Sequence, residues 1–227
     1  MVMRTQIINK AIEWFDMYSY LEIGVGNNVN FTEVKAGHKN SCDINGKGIH
    51  TMKSDDFFET NDEYYDFIFV DGLHESEQVY NDIINSLGCL KEGGIIMCHD
   101  MSPKEEEHQE RDSRQQEGEF KGFDRPIWNG DVWKAWIQLR REREDLEMYV
   151  INADYGCGII RRGSQTLLKN DSELNFKNLD ENRIEWLNLK EIEEIDWLRE
   201  DEIDDFGEYL KIKHKEIEEK YKQWSKE

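Results

Sequence analysis

Four side chains that could do acid–base or metal chemistry come directly after two apolar segments of the sequence. They are Asp71, His74, His99 and Asp100. The segments that precede them, Asp66–Val70 and Gly94–Cys98, are short, apolar and bounded by turn residues, which predicts buried β-strands. Carboxylates and imidazoles at two neighbouring strand ends suit a general base near neutral pH, and they also suit a divalent cation. The pattern therefore predicts a reactive centre and leaves these two chemistries open.

A glycine-containing turn follows an earlier apolar segment, Tyr20–Val25. Gly24 and Gly26 would let the backbone approach a ligand closely, and the helix expected after them favours an anionic ligand group at its N-terminus. A dinucleotide fingerprint needs a third glycine where Val29 stands, so the turn does not match it. Glu22 lies within the strand, where a buried acid needs a cation or strong donors. The cationic amino-acid part of S-adenosylmethionine (SAM) would supply that partner.

Two further acids stand at the ends of two shorter predicted strands: Asp43 ends Asn40–Ile44, and Asp55 follows Ile49–Lys53. Asp43 lies about 20 residues past the glycine turn, where a carboxylate receives ribose hydroxyls in nucleotide-binding folds. Both NAD and SAM contain that ribose, and a plain turn aspartate is the alternative, so Asp43 does not decide the ligand. Asp55 would accept a hydrogen bond from an adenine amino group or serve the N-terminus of a helix.

The elements that must position these residues alternate along the first 100 residues. Apolar residues at helical spacing predict a helix before the first strand and another before Gly94–Cys98. Beyond residue 127, Asp131 is placed to cap a helix, and Glu147–Ala153 with Cys157–Arg162 predicts an antiparallel hairpin at the sheet edge. Strands alternating with helices indicate an α/β fold, in which a mostly parallel sheet is covered on both faces.

The alternating pattern predicts one domain over residues 1–163 and an acidic helical extension packed on it over residues 164–227. Residues 102–127 are polar, which predicts a solvated loop, and their position after a central strand predicts a lid over the site. The charge runs of the extension are explained by a solvated surface. Its tryptophan-bearing helices offer a surface for a homodimer.

Composition excludes several classes of partner. The chain has 227 residues, with 50 acidic and 29 basic side chains, and a net charge of -21. Such a chain lacks the basic surface of a nucleic-acid binder, and an anionic membrane surface would repel it. No apolar run approaches ~18 residues, which predicts no membrane insertion. Four scattered cysteines and an N-terminus without signal-peptide features predict reduced thiols and a cytoplasmic location.

The motifs taken together resemble a known family. They are YLEIGVG at residues 20–26, SDDFF at 54–58, FIFVDGLH at 67–74, GGIIMCHD at 93–100 and WNGDVWKAW at 128–136. The set is similar to the class I SAM-dependent methyltransferases, and more narrowly to methyltransferase family 24, a branch found beside glycan- and natural-product-modifying enzymes. The resemblance covers residues 15–163. It implies a Rossmann-like sheet of seven strands, with the last hairpin strand antiparallel and helices on both faces.

The resemblance also implies roles for individual residues. The donor-binding set is Glu22, Gly24, Gly26, Asn28, Asp43, Asp55 and Asp71. Within it, Glu22 and the glycines hold the methionine end of SAM, Asp43 holds the ribose, and Asp55 lies near the adenine. Asn28 stands where the family often has glycine. Asparagine tolerates a left-handed backbone better than other non-glycine residues, so we expect the turn to be preserved.

Two mechanisms for methyl transfer to a hydroxyl group stay open. Related sugar O-methyltransferases bind a divalent metal, usually Mg²⁺, at positions that correspond here to Asp71, His99 and Asp100. His99 replaces an acid, although Mg²⁺ prefers oxygen ligands, so another divalent cation is an alternative. In the second mechanism His74 or His99 removes the proton of the hydroxyl as a general base, with Asp71 beside it. The acceptor implied is a sugar, a glycan or a glycosylated small molecule.

Two other functions compete with this one. A non-catalytic module that keeps the fold as a scaffold would explain the long acidic extension, but it would not need the converging acids and histidines. An NAD(P)-dependent oxidoreductase would need the glycine fingerprint that Val29 interrupts and a Tyr-x-x-x-Lys pair near the site, which the sequence lacks there.

Overall fold

A seven-stranded sheet forms the centre of the protein, whose computed structural model describes residues 3–111 and 127–192. The strands are β1 Ser19–Ile23, β2 His38–Cys42, β3 Tyr65–Val70, β4 Leu90–Cys98, β5 Leu146–Ile151, β6 Cys157–Arg162 and β7 Leu189–Lys190. The helices are α1 Arg4–Trp14, α2 Val29–Glu33, α3 Ser54–Thr60, α4 Ser76–Gly88, α5 Trp133–Glu142 and α6 Phe176–Leu187, and a short 3-10 helix spans Glu106–Gln109.

The strand order in the sheet is β2-β1-β3-β4-β6-β5-β7. Strands β1 to β4 are parallel, and β6 runs antiparallel to both of its neighbours, β4 and β5. This arrangement confirms the predicted fold class, including the antiparallel strand of the last hairpin. It also brings the carboxyl ends of β1, β3 and β4 side by side at one edge.

Both faces of the sheet are apolar, because successive side chains of a strand point to opposite faces. In β3, Phe67 and Phe69 pack with α1, whereas Ile68 and Val70 pack with the helices α3 to α6 on the other face. The near-continuous apolar sequence of the strand therefore follows from burial on both sides.

The prediction of a strand at Ile49–Lys53 is wrong. Only His50 forms a β-bridge, to Cys42, because the chain turns away at once and enters α3 at Ser54. The seventh strand is instead Leu189–Lys190, which pairs in parallel with β5.

Asp131 does not cap its own helix as predicted. Its carboxylate accepts a hydrogen bond from the backbone N–H of Ser76, the first residue of α4, at 2.9 Å. The residue that precedes α5 is Val132, which already has helical backbone angles. Asp131 therefore caps a neighbouring helix and ties α4 to the start of α5.

The predicted lid and extension lie partly outside the described residues. Of the lid, residues 102–111 and 127 are described, and of the extension, residues 164–192. The latter contain α6, whose Trp186 and Leu187 are buried against Trp133, and β7, which joins the sheet. No helix among the described residues is long and apolar enough to cross a membrane.

Candidate functional site

The glycine turn and the acid–imidazole residues meet at the carboxyl edge of the parallel strands. The backbone N–H of Asp71 donates to the carbonyl of Ile23 at 2.8 Å, so the ends of β1 and β3 are locked together. Gly24 has a φ of +82°, and a Cβ on it would lie 2.1 Å from the carbonyl oxygen of Asp71. Only glycine fits this approach, which sets the turn directly beside Asp71.

The four residues singled out in the sequence form one group, here called the Asp–His cluster: Asp71, His74, His99 and Asp100. The Nε2 atom of His74 lies 3.5 Å from Asp71, and its Nδ1 atom lies 3.5 Å from Asp100. His99 Nδ1 lies 3.4 Å from Asp71 and 3.1 Å from Asp100. Each imidazole therefore lies between both carboxylates.

Two residues that sequence reasoning missed complete the cluster. Arg4, the first residue of α1, places Nη1 3.6 Å from Asp71 and within 2.8 Å of both ring nitrogens of His99. Asp154, in the loop between β5 and β6, accepts from the backbone N–H of Arg4 at 3.0 Å and lies 3.6 Å from His99. Arg4 precedes the first strand, and Asp154 lies in the loop of the β5–β6 hairpin, which sequence reasoning placed at the sheet edge and did not search for site residues.

His74 is held by the segment that precedes α5. Its ring stacks on Trp128 with 4.4 Å between ring centroids, and its Nδ1 atom lies 3.2 Å from the carbonyl oxygen of Trp128. Because a carbonyl oxygen only accepts, Nδ1 carries a hydrogen, and when the ring is neutral the lone pair lies on Nε2. The next residue, Asn129, donates to Asp100, whose backbone is left-handed with a φ of +63°.

The charges of the cluster shift one another's pKa values. Burial alone would raise the pKa of Asp71, but His99, His74 and Arg4 outweigh it and hold that pKa far below the usual range. Burial would lower the pKa of His74, but Asp71 and Asp100 outweigh it and raise that pKa. The pKa of His99 is likewise raised, against its burial, by Asp100 and Asp71.

The glycine turn has the left-handed backbone that the sequence predicted. Gly24, Gly26 and Asn28 all have positive φ, and the value of +67° at Asn28 confirms that asparagine preserves the turn. The side chain of Asp43 holds the backbone of the turn in place. Its Oδ2 atom accepts hydrogen bonds from the backbone N–H of Val25 at 2.9 Å and from that of Gly26 at 3.1 Å.

Glu22 belongs to a buried polar network beneath the turn. Its Oε2 atom accepts from the hydroxyl of Tyr20 and from the side-chain amide of Asn30, the latter at 3.0 Å. Thr5 of α1 in turn donates to Asn30 at 2.7 Å. Burial raises the pKa of Glu22 to about 7, although the hydrogen bonds from Tyr20 and Asn30 oppose this. Within the described part of the chain, no hydrogen bond reaches Oε1 of Glu22.

Asp55 lies apart from the cluster, in the first turn of α3. It accepts from the side chain of Gln78 at 3.1 Å, and the same amide group contacts Ser54 and Asp82. Asp82 is 1% exposed, and its Oδ2 atom is buried with no hydrogen-bond partner among the described residues. Sequence reasoning missed Gln78 and Asp82, although the position of Asp82 three residues after the apolar Val79 could have placed it on the buried face of α4.

Two groups of described side chains bring donor atoms within 4.8 Å of one another, close enough to share a cation. One contains Asp71, His74 and Asp100, and the other contains Glu105, Glu107 and His108. The first group differs from the predicted metal ligands by one residue, since it contains His74 and not His99. Two carboxylates and one imidazole fit Mn²⁺ or another first-row transition ion better than Mg²⁺, which prefers oxygen ligands only.

The comparisons with known proteins bear on the fold of the chain. Residues 23–101, from the end of β1 to just past β4, match the methyltransferase family 24 model, which describes a methyltransferase domain. No curated protein sequence matches the chain.

Solved structures match over most of the chain. Cofactor-bound Rv0187 from MTB is 12% identical, with a TM-score of 0.53 over 73% of this chain and 83% of that one. The chain has a methyltransferase fold. The O-methyltransferase TomG from Streptomyces achromogenes, solved in complex with SAM, is 11% identical, with a TM-score of 0.52 over 72% and 82% of the two chains. The SAH-bound methyltransferase PaMTH1 from Podospora anserina is 16% identical, with a TM-score of 0.51 over 72% and 80%.

Proposed function

We propose that this protein is a SAM-dependent O-methyltransferase that acts on a hydroxyl group of a sugar, a glycan or a glycosylated small molecule. The observation that carries the proposal is the close approach of Gly24 to the carbonyl of Asp71. A donor held at the glycine turn and an acceptor held at the Asp–His cluster would be direct neighbours. TomG, which shares the fold, is named as an O-methyltransferase and was solved with SAM.

The turn and its surroundings fit the donor, which when bound supplies an electrophilic methyl group on a positively charged sulfur. Gly26 has open space where a Cβ would lie, and Glu22 offers the Oε1 oxygen to a cationic group. Asp43 would accept ribose hydroxyls while it holds the turn, and Asn28 would keep the turn left-handed. Asp55 would lie toward the adenine, oriented by Gln78.

We assign His74 as the general base. Its side chain is 16% exposed, whereas that of His99 is 5% exposed and lies against Arg4. The lone pair on Nε2 would take the proton of the acceptor hydroxyl, and Asp71, 3.5 Å away, would stabilise the resulting imidazolium. Burial would lower the pKa of His74, but Asp71 and Asp100 raise it above 6.5, the ordinary value for histidine. The rate of methyl transfer should therefore increase as the pH rises through this raised pKa.

A divalent cation at Asp71, His74 and Asp100 would provide a different route to the same reaction. Such an ion lowers the pKa of a hydroxyl that binds to it. It would also occupy a nitrogen of His74, so this residue could not serve both as metal ligand and as general base.

Titration calorimetry with SAM tests the donor site. We expect binding to the native protein and a large loss of affinity for Glu22→Gln, whereas the exposed carboxylate variant Asp62→Asn should bind like the native protein. Absence of SAM binding at high micromolar concentration would reject the proposal. Binding of NAD(H) in place of SAM would favour an oxidoreductase.

A screen with methyl-labelled SAM against nucleotide sugars and free glycosides tests the acceptor class. Once a product is found, Asp71→Asn and His74→Gln should abolish its formation, whereas Asp62→Asn should not reduce it. SAM binding without methylation of any hydroxyl acceptor would support the scaffold alternative. Methylation of aromatic hydroxyls alone would keep the enzyme class and reject the sugar acceptor.

A further inference from the structure

We propose that Arg4 is a built-in cation of the Asp–His cluster, which opposes the binding of a divalent metal at Asp71, His74 and Asp100. The inference rests on the geometry of the cluster and not on methyl transfer. It predicts that the native chain is a poor metal binder although it contains a suitable set of ligand atoms.

Arg4 contacts the cluster through several atoms. Its Nη1 atom lies 3.6 Å from Asp71, and its Nε atom lies 3.8 Å from Asp154, which also accepts from its backbone N–H. Arg4 thus lies between two carboxylates, one of which belongs to the ligand set described above. A guanidinium group keeps its charge in this setting, because burial would lower the pKa of Arg4 but Asp71 and Asp154 outweigh it and raise that pKa further above its already high ordinary value.

The position of Arg4 is enforced by the rest of α1. Ile8 and Ala11 are fully buried on the α1 face of the sheet, where they pack in the same cluster as Phe69 and Met97. A cation in the first turn of a helix is disfavoured by the helix dipole. The surrounding carboxylates offset this cost, so the placement of an arginine here is explained by the cluster and not by the helix.

The repulsion follows from the distances. A divalent ion bound to Asp71 would lie only a few ångströms from the Arg4 guanidinium, because both would contact the same carboxylate. Like charges at such a separation in a partly buried site repel strongly. The metal would therefore bind only if Arg4 moved away. Without a metal on the cluster, the neutral ring of His74 keeps the lone pair that a general base needs.

Calorimetric titration with MnCl₂ in the absence of SAM tests the inference. All proteins would carry Glu105→Gln, so that the second group of ligand atoms does not contribute. We expect Arg4→Gln to bind Mn²⁺ at least about tenfold more tightly than its parent. Arg4→Lys, which keeps the charge, should bind as weakly as the parent, and Arg143→Gln, which removes a half-buried guanidinium that pairs with Asp145 and not with the cluster, should change nothing. Adding Asp71→Asn to Arg4→Gln should abolish the gain.

Equal Mn²⁺ affinity in the parent and Arg4→Gln would overturn the inference, as would a gain in Arg4→Lys as large as in Arg4→Gln. Absence of Mn²⁺ binding in Arg4→Gln, with its fold intact by circular dichroism, would also overturn it. SAM binding is measured on the same samples. If no protein binds SAM but the Mn²⁺ affinities follow the expected order, the proposed function is rejected and the inference about Arg4 is retained.

Discussion

Glu22 shows how one residue can couple the donor site to pH. It is 1% exposed, and its burial and the nearby negative charge of Asp71 favour its neutral form. A cationic ligand would favour the carboxylate. The protein must therefore lose a proton from Glu22 when it binds such a ligand below the pKa of this group, which is about 7.

The affinity for SAM should consequently weaken by about tenfold per pH unit well below pH 7. In Glu22→Gln this part of the pH dependence should disappear, and only titration of the ligand itself should remain. Calorimetry across the pH range on both proteins measures the difference. Parallel profiles for the native protein and the variant would contradict the assignment.

Asp82 should affect stability in a pH-dependent way. Burial raises its pKa to about 6, from an ordinary value of 3.8, and outweighs the contacts from Ser54 and Gln78. A carboxyl group whose pKa is raised by folding stabilises the folded state fully at a pH below its ordinary pKa of 3.8. This contribution is lost as the pH rises through about 6.

Asp82→Asn should therefore remove about 2 kcal/mol of the difference in unfolding free energy between about pH 4 and pH 7.5. Urea unfolding at both pH values measures it, with the exposed Asp62→Asn as the matched control. A variant whose stability changes with pH as the native protein's does would show that Asp82 is not the source.

At the scale of elements, most of the fold could be predicted because the central strands, such as β3 and β4, contain short apolar runs. The segments Phe67–Val70 and Ile95–Cys98 needed no long-range information, since burial on both faces makes them apolar throughout. The prediction of a strand at Ile49–Lys53 failed because only His50 of this segment forms a β-bridge. Backbone pairing depends on where the chain turns, which the apolar residues of the segment do not show. Sequence patterns report burial more directly than they report hydrogen bonds.

The candidate site could be predicted only in part, for the same physical reason. Asp71 and Asp100 follow parallel strands, and the sheet fixes where those ends lie. Arg4, Asp154 and Asn129 reach the site from a helix, a hairpin loop and a loop before a helix, whose tertiary placement no local pattern encodes. The one local signal was an arginine in the first turn of a helix, where a cation is disfavoured.

The contact between Asp131 and α4 can be tested by mutation, because Asp131 caps α4 from outside that helix. Asp131→Ala should lower the free energy of unfolding by about 1–2 kcal/mol, since the N–H of Ser76 loses its acceptor and Lys134 loses its ion pair. Chemical denaturation measures this. The exposed control Asp62→Ala should cost less than about 0.5 kcal/mol. Equal costs for the two variants would contradict the capping role.

At the scale of the whole molecule, the net charge of -21 is a source of self-repulsion. Raising NaCl from about 0.01 M to about 0.15 M shortens the screening length from about 30 Å to about 8 Å. Screening should relieve the repulsion, so we expect Tm to rise by a few degrees. Calorimetry at the two salt concentrations checks this. A fall in Tm would mean that attractive ion pairs outweigh the net charge.

The first turn of α1 has a practical consequence for anyone who prepares this protein. Arg4 contacts the Asp–His cluster, and Thr5 contacts the network of Glu22 through Asn30. A substitution or deletion within this turn would therefore disturb both groups of residues at once. Protein prepared for ligand measurements should keep residues 3–5 unchanged.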